Sequence, residues 1–529
     1  MSYLNLISFL GIFGLCVVAW IFSEYRKIIP WRVIIGGILL QLVLGFLVFQ
    51  FPLTRKALEI FSSLLDSVFL AADVGANFVF GKNIVPIPGR PADVNLGYIF
   101  AFRALPTVIF FSGLMALLYN LGVIQLITNI FAKAFYKTMR LSGAESLSGA
   151  ANIFVGIEAA IAVKPFIAKM TRSEICAILS CCFGTAASST LAIYVNFLRP
   201  VFPNILGHLV SASIMAIPAC FVLSKILVPE RQVPVTAGGI PVEEKVEFDP
   251  EAAPTETVGG EPIERVSPMD AAILGALDGV KMAVSIAAVL ILILGLVSLV
   301  NQIFAGLATL PGFVGQIFTV VTLPNILGFL FYPLTLLTGV PFDESWTASV
   351  IIGRRLLETA IPPYQALAQA AAEGKVSDRT VLIVSYALSG FAHIASVGIF
   401  VGGTIALAPS RRKDISELGW KALFAGTLAT LMIACIAGFY DTGNRSILGE
   451  KQAPPPTVAP VQTPTPTTPT PQAAPPVTPQ PQPTPQGTTP TPTSVTPKPQ
   501  PTPQAATPTA TPTPVTPKPQ PTPTVKPSP

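Results

Sequence analysis

The sequence predicts an all-α polytopic membrane protein of about eight transmembrane helices plus two re-entrant hairpins in inverted repeats, with a disordered C-terminal tail. Three observations carry that reading. Hydrophobic residues make up 51% of the chain and charged ones 12%, against about 25% charged in a soluble domain. Apolar runs of about 20 residues, the length that crosses a bilayer, recur along the chain. One stretch, Leu141 to Asn196, sets Glu145, Asn152, Glu158, Lys164 and Glu174 among apolar residues and small-residue clusters such as Gly184-Thr185-Ala186-Ala187-Ser188-Ser189. Ionisable groups at bilayer depth cost at least about 2.5–3.5 kcal/mol each. Irregular backbone at that depth survives only against protein or a water-filled cavity. A hairpin dipping into the membrane, then a helix broken midway, fits both constraints and marks the binding site of a transporter.

Other classes are disfavoured. A formal net charge of +5 over 529 residues does not suggest nucleic-acid binding. Six cysteines all fall in apolar segments and read as buried small hydrophobes, without the spacing of a disulfide or metal site. The first apolar run has no basic residues before it and reads as a retained span, with no signal peptide or lipidation motif. A hydrolase built on Ser188 or Ser189 with His393 lacks the Gly-x-Ser-x-Gly elbow, so no enzyme activity is expected.

In order, Leu4 to Ile21 and Val33 to Phe51 are spans, and Arg26, Lys27 and Arg32 between them predict a cytoplasmic loop and an external Met1. Thr54 to Phe80 is amphipathic and predicts an interfacial helix. Leu96 to Leu118 is a third span, and the scaffold part runs over 1–122. The first transport repeat, 123–228, holds the first hairpin, the broken helix near Glu174 to Phe197, and a span over Pro203 to Leu227. A hydrophilic cytoplasmic linker covers 229–267, and 268–312 carries a sixth span at Met282 to Phe304. The second repeat, 313–445, echoes the first with a hairpin at Pro341 to Lys375, a span over Asp378 to Ala408 broken at Ser389 to Ser396, and a last span from Trp420 to Tyr440. Two such units entering from opposite sides mark inverted-repeat transporters and leave both termini outside. The tail, 446–529, is rich in Pro and Thr and repeats VTPKPQPTP from Val495 and Val515. It predicts extended polyproline II, either as a disordered spacer or as an arm contacting the cell envelope.

SGAESLSGAANIFVG (Ser142 to Gly156), MTRSE (Met170 to Glu174), YALSGFA (Tyr386 to Ala392) and ALAPSRRKDISELGWKALFAGTLATLM (Ala406 to Met432) together resemble the concentrative nucleoside transporters. The resemblance covers about the first 440 residues and leaves the tail uncovered. It implies a homotrimer in the cytoplasmic (inner) membrane, a sodium-coupled symporter (protons in some members) for nucleosides, and an elevator in which a transport part carries the solute. Its cation site implies Asn152, Val155 and Ser189, an amide oxygen, a free backbone carbonyl and a hydroxyl without fixed charge. Its substrate site implies Glu158, Phe391, His393 and Ser396. The chain departs from the family there. Gly156-Ile157-Glu158 is one residue short of the family's Gly-Gln-(Thr/Ser)-Glu, and the second hairpin's glutamate falls on Ala360 and its asparagine on Thr359. Glu358 is a candidate substitute, and His393 stands where the family has asparagine. These departures predict an altered nucleoside pocket or a different small polar solute. A transporter-derived binding or sensor protein is the other expectation.

Overall fold

The computed structural model describes residues 2–87, 93–94, 96, 99–153, 159–160, 163–186, 188–239, 256–258, 261–263 and 267–443. Val155, Glu158 and the tail expected at 446–529 lie outside the described residues, and Ser189 is described in its backbone alone.

Two apolar helices open the chain, α1 (Tyr3–Ile21) and α2 (Trp31–Phe49), close to the expected spans. Helix α3 (Pro52–Phe80) starts on a proline and stops at Gly81, whose φ of +85° suits glycine. Then come α4 (Phe100–Asn120) and α5 (Val123–Met139). The region of the first expected hairpin holds α6 (Gly143–Ala151) and the single turn α7 (Lys164–Ile167). The expected broken helix is two helices, α8 (Arg172–Gly184) and α9 (Ser188–Leu198), followed by α10 (Ile205–Leu227).

The regular structure of the described residues is helical apart from one short strand pair. Within the linker, β1 (Glu256–Val258) pairs antiparallel with β2 (Glu261–Ile263), and Val258 opposes Glu261 across a two-residue connection. The intervening Gly259-Gly260 is a hairpin signal in sequence. The linker's start is also docked rather than free: the N–H groups of Gly143 and Ala144 donate to the carbonyl and hydroxyl of Thr236 at 2.9 and 3.0 Å.

The sixth expected span is longer than the sequence suggested. Helix α11 (Pro268–Ala308) has 41 residues, about 60 Å at 1.5 Å per residue and twice the hydrocarbon thickness. Ser267 caps its start by accepting the Asp270 N–H at 3.2 Å. The region of the second expected repeat holds α12 (Phe313–Val320), α13 (Leu323–Leu337), α14 (Phe342–Glu358), α15 (Ile361–Ala372), α16 (Asp378–Ala387), α17 (Ile394–Leu407) and α18 (Arg412–Tyr440). Among the described residues six helices, α1, α2, α4, α10, α11 and α18, are long and apolar enough to cross a membrane.

Burial separates a centre from a periphery. α18 packs on α1, α8, α10 and α16, while α11 lies along α4. In their most apolar windows α10 and α18 are 83% and 89% buried, whereas α11 is 6% buried. The centre is therefore built around α10 and α18, and α11 presents its apolar surface outward.

At one end of this centre, two capping boxes fix where α6 and α8 begin. Ser142 and Thr171 each accept the N–H of a glutamate three residues on, and Glu145 and Glu174 each accept back. The boxes are joined, because Ser142 Oγ donates to Glu174 Oε1 at 2.6 Å. Lys225, near the end of α10, forms an ion pair with Glu145 at 2.5 Å. Charges buried this deeply are tolerable only when paired and hydrogen-bonded, and these are.

Candidate substrate and cation site

The site is formed where two broken helices meet. α8 ends at Gly184, and Thr185 turns its hydroxyl back to the Cys181 carbonyl at 2.8 Å. α16 ends at Ala387 and α17 begins at Ile394. Across this gap the Phe391 N–H donates to the Thr185 carbonyl at 3.2 Å, so each break satisfies part of the other. Glycine makes the approach possible. A Cβ on Gly390 would lie 2.8 Å from the carbonyl oxygens of both Phe183 and Gly184, closer than real Cβ contacts come.

Phe391, His393 and Ser396 are brought together at the start of α17. His393 is its N-cap, accepting the Ser396 N–H on Nδ1 at 3.2 Å, and Ser396 Oγ lies 2.8 Å from Nε2. An accepting Nδ1 assigns the neutral ring with its proton on Nε2. The imidazole thus supplies the acceptor that asparagine commonly supplies at an N-cap. The Phe391 ring stands 6.0 Å from the imidazole, nearly edge-on, and is partly exposed, leaving an aromatic face beside a small polar pair.

Asn152 closes α6 and is fully buried. Its Nδ2 donates to the Ser148 carbonyl at 3.0 Å, while Oδ1 has no partner among the described residues. An orphaned buried acceptor costs about 1–3 kcal/mol. A sodium ion would relieve it, because amide oxygens and unwound carbonyls are hard, uncharged donors suited to an alkali cation. Of Asn152, Val155 and Ser189, Asn152 alone is described with its side chain, and its amide oxygen is of the kind an alkali cation takes.

Helix α14 separates two residues that the sequence left together. Glu358 is held by Arg354, which donates to it through Nε at 2.9 Å and pairs through Nη2 at 2.8 Å, and both face α11. The break of α16 receives Arg355 instead. That guanidinium is 1% exposed and donates through Nη1 to Ala387 O, the end of α16, and to Thr430 Oγ1. Its Nη2 is buried without a partner among the described residues. Ala360, on which the family glutamate falls, is buried and apolar. Sequence reasoning missed Arg355 as a site residue; the adjacent arginines in an apolar hairpin were the available signal. Thr359 joins the two helices at φ +70° and ψ −175°.

Comparison with known proteins decides the family. The model described as Na+ dependent nucleoside transporter C-terminus matches residues 208–438, its N-terminal counterpart 10–83, and a nucleoside recognition model 101–201. The chain is 31% identical over 444 residues to the nucleoside permease NupC of Helicobacter pylori, covering 83% of this chain and 99% of that one. This chain belongs to the concentrative nucleoside transporter family. A Bacillus subtilis relative, the uncharacterized transporter YutK, is 36% identical over 432 residues, covering 82% of this chain and 98% of its own. The transporter CNTnw in an inward-facing substrate-bound state aligns with a TM-score of 0.70 at 35% identity, over 83% of this chain and 98% of that one. An outward-facing CNTnw variant aligns at 0.71 and 34% identity, over the same shares. The chain is therefore a multi-pass membrane transporter of a Na+-dependent nucleoside transporter family.

Proposed function

We propose that the chain is a sodium-coupled symporter that imports nucleosides across the cytoplasmic membrane by elevator-type alternating access, as a homotrimer. The observation that carries this reading is the buried Oδ1 of Asn152 at the end of α6, which has no partner among the described residues. In the proposal Asn152, Val155 and Ser189 hold sodium. The ion's charge then offsets the orphaned acceptor and favours the arrangement that receives the solute. Glu158, Phe391, His393 and Ser396 contact that solute, with Phe391 stacking on its flat face. That CNTnw has been solved inward-facing, outward-facing and in intermediate states supports a moving transport part.

The test is uptake of labelled uridine and adenosine into proteoliposomes under an imposed sodium or proton gradient. Sodium-driven uptake is expected, and Asn152→Ala should raise the sodium concentration for half-maximal uptake about tenfold, the equivalent of one lost ligand at about 1.4 kcal/mol. Uptake indifferent to sodium, or unchanged in the variant, would sink the cation site. A second reading, a different small polar solute on the same fold, is favoured by Ala360 at the family glutamate's position. It predicts no nucleoside uptake under either gradient and a thermal shift with another neutral solute.

A further inference from the structure

Helix α11 is apolar from Ile286 to Ala308 except for Ser298, Asn301 and Gln302. Their spacing, i, i+3 and i+4, puts them on one face of the helix. That face lines an open cavity of about 520 Å³ whose opposite wall is the Arg354–Glu358 pair of α14. Asn301 Oδ1 is buried there without a partner among the described residues, and Gln302 Nε2 donates to Ser298 Oγ at 3.2 Å. In a helix otherwise fit for lipid, amide and hydroxyl groups that face an ion pair across an open cavity are groups that water or a polar solute would satisfy. The size lies within the ~300–1,000 Å³ range of small-molecule sites. We infer that this α11–α14 cavity is a solute subsite, separate from the helix-break site, for the hydroxyl- and amide-bearing part of a neutral solute.

The chemistry selects that class. Arg354 and Glu358 neutralise each other at 2.8 Å, so an ionic ligand would have to break their pair before gaining its own. Asn301 and Gln302 each offer both a donor and an acceptor, the set that hydroxyls and nucleobase amides require. Arg355, the next residue along α14, reaches the break of α16, so the same helix lines both places. A solute arriving along α11 would meet this subsite beside the break. The assignment of nucleosides as that solute rests on the symporter reading above.

The test is Ser298→Cys in the full chain in proteoliposomes, treated with a membrane-impermeant thiosulfonate, with the unsubstituted protein as background. The new thiol should be modified, and uridine or adenosine at ten times the uptake KM should slow modification about tenfold. Adding Asn301→Leu or Gln302→Leu should abolish that protection and raise KM about three- to tenfold, one hydrogen bond's worth. The parent's melting temperature shows which of the two is folded. A thiol that is never modified, or is modified equally with and without nucleoside, overturns the subsite. Uptake measured in the same vesicles separates the two readings. Uptake without protection sinks the subsite alone, and protection without uptake sinks the symporter alone.

Discussion

Thr359 sits at φ +70° and ψ −175°, a region that β-branched residues almost never occupy. Holding it there costs about 1–3 kcal/mol. Glycine adopts such angles freely but loses about 0.5–1 kcal/mol of unfolded-chain entropy. Thr359→Gly should therefore gain about 1 kcal/mol net and melt about 1 °C higher in a chain this large; a lower melting temperature would mean the strain is not stored at this joint. His393 allows a second test. Because its Nδ1 accepts the Ser396 N–H, protonating that nitrogen would break the cap, so the cap assigns a neutral ring to His393. His393→Asn should keep the cap and leave any proton dependence of uptake unchanged. His393→Leu should lose about 1 kcal/mol of stability through the missing cap. Proton-driven uptake lost in His393→Asn would overturn this assignment.

Between elements, the deciding contact is the crossing of the two breaks. A Cβ on Gly390 would press on backbone oxygens at 2.8 Å and on Thr430 Cγ2 at 2.7 Å, whereas one on Gly398, a turn into α17, meets nothing within 4 Å. Gly390→Ala should cost about 1–3 kcal/mol by overpacking and depress uptake. Gly398→Ala should be neutral or stabilising by up to about 1 kcal/mol, as for an open helix-interior glycine. Comparing the two melting curves checks both, and equal losses would show that the crossing is looser than the backbone implies. Both breaks were legible in sequence, since clusters of Gly, Ser and Thr interrupt apolar runs at Gly184–Ser189 and Ser389–Ser396. Their mutual hydrogen bond was not, because pairing between distant segments leaves no local pattern. The diverging roles of Glu358 and Arg355 were equally hidden. They depend on helix phase, and one helix residue turns a side chain by about 100°.

Across the whole molecule, polar contacts gather at two ends. At one end Arg172 binds Glu24, Asp414 and Glu417, Arg411 donates to the Met170 carbonyl, and the Glu24 N–H meets the Leu227 carbonyl. At the other, Asn5 donates to the carbonyls of Phe439 and Asp441, and Arg379 pairs with Asp441 while donating to the Gly339 carbonyl. The basic loops at Arg26–Lys27 and Arg411–Lys413 thus share the first end, and Asn5 and Asp441 share the second. The basic-loop bias read from sequence predicts a cytoplasmic side for the first end. The sequence carried this alternation because span length and loop charge are local quantities; the length of α11 and the docking of Thr236 on α6 were hidden, since packing sets them. Single cysteines at Lys27 and Lys413 should then react with an impermeant thiol reagent only in inside-out vesicles, and one at Ser2 or Thr442 only in right-side-out vesicles. Labelling of Ser2→Cys and Thr442→Cys from opposite sides would break the arrangement, because the contacts of Asn5 with Asp441 require one side for both.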